Sequence, residues 1–155
     1  MVNYNNSMIY KLCCKDLSVT DVYVGSTTNF TRRKTQHRHN SNSSPKYKEH
    51  DYKVYKFIRA NGGWENWDMV LIKNVSCDNV LELHKIERTY YENLNATLNK
   101  QVPSRSSKEW RYVNKEIVAG KQNKMFLCKC GQLTNKHNIR RHEKSAKHIM
   151  FKGEP

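Results

Sequence analysis

Long apolar runs are missing from this chain. None of its 155 residues falls in a stretch near the roughly 20 apolar residues a membrane helix needs, and mean hydropathy is −0.92. No membrane association is expected. The chain also does not open on a basic segment followed by an apolar core, so the expectation is an intracellular protein, in the nucleus or cytoplasm of its host cell, and not a secreted one. Cysteine is sparse, and the adjacent Cys13 and Cys14 are poorly placed to bridge each other. With Cys77 they are expected to stay reduced and fill core space. Acidic residues are scarce too: 14, against 28 lysines and arginines, for a net charge of +14 and a pI near 9.7. The deficit is uneven, with residues 1–99 carrying 14 basic and 10 acidic groups and residues 100–155 carrying 14 and 4. A polyanionic partner is implied, with binding that weakens as salt rises. The length permits one modest domain plus a small module.

The densest chemistry lies early. Residues from Ile9 to Cys14 and from Val22 to Val24 are β-branched, aromatic and sulfur-rich, and a polar stretch with Asp16, Ser18, Thr20 and Asp21 separates them. This predicts a β-hairpin. Tyr10 and Tyr23 then fall on adjacent antiparallel strands, with Gly25 closing the second strand by a sharp backbone turn. Thr27, Thr28 and Asn29 are good N-caps, so a helix is predicted from about Phe30 to residue 38, with Arg33 and His37 four apart on one face. A guanidinium donates two parallel hydrogen bonds to a phosphate and stays charged at any working pH. A histidine one turn away can orient water or donate a proton. Taken singly, strand tyrosines are usually packing residues, and a run such as Arg32-Arg33-Lys34 is usually a solvated face. The joint pattern points to phosphodiester cleavage.

Val80, Leu83, Tyr90, Tyr91, Leu94 and Leu98 trace a helical stripe that includes Glu87, whereas Glu82 and Glu92 fall off it. A carboxylate buried unpaired is costly or stays protonated, so Glu87 is expected to meet a cation, either Arg33 or a metal. A helix is also predicted near residues 50–60, ending at Gly62-Gly63, with a strand near 68–75 and a flexible loop from Asn40 to Pro45.

Met8-Ile9-Tyr10, Tyr23-Val24-Gly25, Arg33, His37, Glu87 and Leu98-Asn99, in that order, resemble the successive motifs of the GIY-YIG endonuclease family. Asn61-Gly62-Gly63-Trp64-Glu65-Asn66-Trp67 resembles a segment frequent among its small members. Met8 stands where the name-giving motif has glycine. The resemblance covers residues 7–100. It implies an α/β (α+β) domain with a small three-stranded antiparallel sheet flanked by helices, and a divalent-metal-dependent DNA endonuclease hydrolysing phosphodiester bonds. Glu87 would hold one Mg2+ or Mn2+ ion bridging the scissile phosphate and the leaving oxygen. One of Tyr10 and Tyr23 would deprotonate the attacking water and the other position it or the phosphate. Arg33 would neutralise the phosphorane and His37 hold the tyrosine or the phosphate. Asn99 either places a group in the site or caps a helix end facing solvent. The implied substrate is duplex DNA, and a transient dimer would cut both strands.

The second informative region is Cys128-Lys129-Cys130 followed by His142 and His148, with eleven residues between the pairs and five between the histidines. The spacing is similar to that of two-cysteine, two-histidine zinc fingers with a shortened cysteine knuckle, and zinc wants four such ligands placed tetrahedrally. Leu133 and Ile139 are expected to close over the metal, which favours His142 as third ligand, with His137 as the alternative. About thirty residues hold too little core to fold alone, so zinc binding and folding are expected to be one event. The module's helix carries Lys136, Arg140, Arg141, Lys144 and Lys147, charges that suit DNA phosphates.

The expected organisation is a nuclease-like domain over 7–100, a basic linker over 101–122 and a zinc-finger module over 123–155. The linker contains Pro103, Ser104 and Gly120, a short helix near Trp110, and Arg105 and Arg111 to lie along DNA; Trp110 and Tyr112 can equally dock on the nuclease. The competing reading is a non-catalytic DNA-binding zinc protein whose N-terminal fold only docks. Loss of Arg33 or Glu87 would have favoured it, and both are present.

Overall fold

Strand β1 (Ser7–Cys14) sits at the centre of the sheet in this computed structural model, which describes residues 2–152. It pairs antiparallel with β2 (Val22–Thr27) on one side and β3 (Trp67–Val75) on the other, giving the order β2-β1-β3. The hairpin register sets Tyr10 opposite Gly25 and Leu12 opposite Tyr23. Against β3 the register slips between Ile9, which faces Lys73, and Tyr10, which faces Leu71. The extra residue is Ile72 on β3, so β3 bends there while β1 keeps its alternation.

Both faces of the sheet are covered. Tyr10, Leu12 and Cys14 pack with Trp67, Met69 and Leu98 against helix α2 (Lys53–Ala60), which contributes Val54, Tyr55 and Ile58. Ile9 and Val24 pack against helix α3 (Val80–Asn93) through Leu83, with Cys77 and Ala96. Cys14 and Cys77 are buried and Cys13 is half-buried.

Helix α1 (Phe30–Ser41) starts as the sequence predicts, with the Asn29 side chain accepting from Arg32 N–H. It runs past residue 38, however, so Asn40 and Ser41 are helical rather than loop. The loop that follows is fastened, because Arg59 donates to the Ser41 carbonyl at 3.0 Å and to the His50 carbonyl at 2.6 Å. Helix α3 also departs from expectation: it stops at Asn93, and Leu98 lies beyond it, in the cluster on the opposite face of the sheet. Asn95, at φ +46°, turns the chain back so that Leu98 N–H reaches the Val22 carbonyl.

The chain divides into two compact units, Met1–Arg105 and Ser106–Pro155. The second opens with α4 (Ser107–Val113), capped by Ser106, and α5 (Lys115–Asn123), where the sequence suggested a linker with one short helix. Both helices are largely exposed, which is why no apolar stripe announced them. Strands β4 (Met125–Leu127) and β5 (Leu133–Asn135) form a small antiparallel hairpin, followed by α6 (Ile139–Glu143) and α7 (Ala146–Lys152). The expected single finger helix is therefore broken at Lys144-Ser145. Residues 153–155 of the expected module lie outside the described residues.

Candidate active site and metal cluster

The alternation of β1 sends the Tyr10 ring to the α1 and α2 side, where it is fully buried. Gly25 across the strand pair makes room for it. A Cβ at Gly25 would lie 2.6 Å from the Tyr10 hydroxyl and 2.9 Å from Tyr23 Cε1. Gly25 has no left-handed φ and lies within β2, so its role is space for two rings, not the sharp turn expected from sequence.

The bonding pattern orients the protons. Arg33 Nε can only donate, and it reaches the Tyr10 hydroxyl oxygen at 3.0 Å; Tyr10 then gives its own proton to His37 Nε2 at 2.8 Å. His37 Nδ1 carries the remaining ring proton and donates to the Tyr55 hydroxyl at 3.0 Å, which Asn40 also meets at 3.2 Å. Trp64 lies parallel to the imidazole, with centroids 6.5 Å apart. Burial, helped by the charge of Arg33, brings the His37 imidazole down to about 3, so it is neutral at pH 7. Burial likewise drives the Tyr10 hydroxyl far above an ordinary phenol, Tyr23 adding to the rise and Arg33 opposing it. The Tyr23 hydroxyl is raised by burial as well, against the opposing pull of Arg33.

Tyr23, Arg33, His37 and Glu87 line one cleft of about 810 Å³, whose walls also carry Lys48 and Arg105. Glu87 is half-buried, and its carboxylate accepts a 2.5 Å hydrogen bond from Ser26 Oγ. Arg33 is turned instead to Tyr10 and to Gln36 at 2.8 Å, so the Glu87–Arg33 ion pair that the sequence allowed is not formed. Burial pushes the Glu87 carboxyl up, and Ser26, His84 and Arg33 offset this only in part. Asn99 lines the cleft and does not cap a helix. It clamps β2, accepting from Val24 N–H at 3.0 Å and donating to the Val24 carbonyl at 2.7 Å. The backbone between Tyr23 and Gly25 is thereby held in place beside the cleft.

In the second unit, Cys128, Cys130, His142 and His148 bring their ligand atoms within 4.8 Å of one another and can hold a metal ion. Cys130 Sγ lies 3.2 Å from His142 Nε2, and Cys128 Sγ lies 3.6 Å from His148 Nδ1. His137 sits exposed in the turn before α6, outside the cluster. Leu133 is 62% exposed and does not close over the site; Thr134 is the buried residue of β5. Lys136, Arg140, Arg141, Lys144 and Lys147 are all exposed around the turn, α6 and α7, and Arg111 is exposed on α4. Arg105, expected along the linker, lines the cleft of the first unit.

Sequence reasoning gave no site role to Tyr55, Trp64 or Ser26. Trp64 falls in the 61–67 segment that resembles the family but carried no site role there, and Tyr55 drew no reading; the pairing of His37 with both is what shows their part. Ser26 directly follows the Tyr23-Val24-Gly25 motif, and its place on the strand facing α3 was the available signal.

A cleft of cationic, phenolic and carboxylate groups on a helix-covered antiparallel sheet suits a phosphodiester hydrolase. Residues 6–101 match the family profile of the GIY-YIG catalytic domain, and the chain belongs to that family. Comparison with curated proteins and with solved structures yields no match.

Proposed function

We propose that the protein is a divalent-metal-dependent DNA endonuclease, held on duplex DNA by a zinc-bound C-terminal module. The observation that carries this reading is the convergence of Tyr23, Arg33 and Glu87 on one cleft, backed by the bonded Tyr10–His37 pair. A non-catalytic docking role leaves that buried network without a purpose.

Glu87 suits a hard cation. Its half-buried carboxylate has a serine rather than a guanidinium as partner, and its charge is disfavoured until a cation arrives. A Mg2+ or Mn2+ ion held there would supply Lewis-acid stabilisation of the reacting phosphate. Tyr23 faces the cleft, where its hydroxyl can orient the attacking water or the phosphate. The neutral His37 holds Tyr10 beside Arg33 through the Tyr10 hydroxyl. Arg33 faces the charge that builds on the phosphorane, a contribution of about 3 kcal/mol for groups in this role.

Two thiolates and two imidazoles gathered this closely suit zinc, with separations at or just under its tetrahedral edges. Zinc bound by two thiolates and two imidazoles has tetrahedral edges of about 3.3–3.8 Å, and three contacts among the four ligand atoms are 3.2, 3.2 and 3.6 Å. The exposed cations around it and the basic second unit suit DNA phosphates.

The test is conversion of supercoiled plasmid by zinc-loaded full chain, with magnesium supplied or omitted. Nicked product only with magnesium supports the reading. DNA binding without cleavage of duplex or branched substrates would leave the docking role in its place.

A further inference from the structure

Beside the catalytic cleft lies a second groove of about 570 Å³ that the nuclease chemistry does not use. Its floor is aromatic, made by Tyr52 and Phe57, both half-buried, and its rim carries Lys53, Lys56 and Lys100 with one acid, Asp51. Asp51 pairs with Lys56 Nζ at 2.8 Å and Lys53 Nζ donates to the Thr97 carbonyl at 2.7 Å, which leaves the rim with a net positive charge of two. Lys100 holds its ammonium 5.5 Å from the centre of the Tyr52 ring. Tyr52, Lys53 and Lys100 also line the catalytic cleft, so the two depressions share a wall.

We propose that this groove is a subsite for an unpaired nucleotide of the nucleic-acid strand being cut. The proposal rests on the nuclease reading and adds to it the kind of substrate preferred. A groove that bound only phosphates would have no use for an apolar floor, and one that bound only apolar ligands would not gather three lysines. An aromatic surface rimmed by cations is the arrangement that takes a base on its face and the flanking phosphates on its edge. A base inside a duplex has both faces covered by its neighbours, so the occupant is an unstacked one, from a flap, a gap or a single-stranded end. The shared wall places that nucleotide next to the bond to be broken.

The test uses zinc-loaded full chain without magnesium, so that nothing is cut. It is titrated with two fluorescein-labelled DNA oligonucleotides, one fully paired and one carrying a short single-stranded tail. Wild type should prefer the tailed molecule by about ten-fold, the scale of one stacked base. Tyr52→Leu should bring that ratio near one, and Tyr52→Trp, which keeps a stacking face, should retain it. Lys56→Glu, which breaks the exposed pair with Asp51 and turns that part of the rim acidic, should weaken tailed binding and reduce its salt dependence. A wild type without preference, or a preference that survives Tyr52→Leu, overturns the proposal. Plasmid cleavage with magnesium decides the nuclease reading separately: cleavage without preference removes only the subsite, and preference without cleavage removes only the nuclease.

Discussion

Replacing Gly25 by alanine should disable the active site by adding a single methyl group. The added Cβ would sit 2.6 Å from the Tyr10 hydroxyl oxygen and 2.7 Å from Tyr10 Cζ, whereas ordinary contact begins at 3.4 Å. One ring or strand must move by about 0.8 Å, the difference between those two distances. Tyr10 has no free direction in which to move, being fully buried and bonded to His37 at 2.8 Å and Arg33 at 3.0 Å. β2 is held by the Asn99 clamp on Val24. Overpacking of a dense core costs about 1–3 kcal/mol, and each kcal/mol lowers the melting temperature of a domain this size by about 4–8 °C. A displacement near 1 Å in a catalytic constellation costs about 10²-fold in rate. Differential scanning fluorimetry and single-turnover cleavage should therefore show a lower melting point and about a hundred-fold slower cutting. DNA affinity should change little. A Gly25→Ala protein that melts and cuts like wild type would refute the claim that this close approach fixes the tyrosine.

Three further outcomes follow from the same geometry. The Glu87 carboxyl is raised above its ordinary value, so the native state holds that proton more tightly than the unfolded chain and loses stability as pH rises past the ordinary carboxyl range. Glu87→Gln should thus melt higher than wild type at pH 7 without metal, while added magnesium should stabilise wild type alone. For His37 the sign is opposite: with a native value near 3 against an ordinary 6.5, the unfolded chain takes up the proton first. Stability is fully present above pH 6.5 and is lost as pH falls toward 3, and His37→Gln should remove that part of the acid slope in denaturant titrations. In the second unit the buried polar residues are Thr134, His142 and His148, and Met125, Phe126, Leu127 and Leu133 are exposed. Chelation of zinc should accordingly abolish the amide dispersion of residues 125–152 in NMR spectra while the first unit's spectrum persists.

The sequence made some of this legible and concealed the rest for physical reasons. The hairpin, the Asn29 cap and the Arg33/His37 face were readable because they depend on neighbours within a few residues. So was the metal cluster, whose ligand types and spacing carry their own chemistry. What escaped depends on long-range packing. Gly25 looks like a turn until Tyr10 is seen across from it, and Asn99 looks like a cap until Val24 is found 75 positions away. Leu98 falls into register with the α3 stripe by coincidence, since the helix has already ended at Asn93. The helices at 107–123 bury too little to leave a periodic trace. The exposed Leu133 follows from a hairpin whose buried residue is its neighbour Thr134.

The most direct test of the central claim is single-turnover cleavage of an end-labelled DNA duplex by wild type, Glu87→Ala and Arg33→Ala, each zinc-loaded and at equal DNA occupancy. The cleft as described predicts magnesium-dependent cutting by wild type and a loss of about 10²-fold or more in both variants, with binding retained. Cutting by Glu87→Ala at the wild-type rate would contradict it.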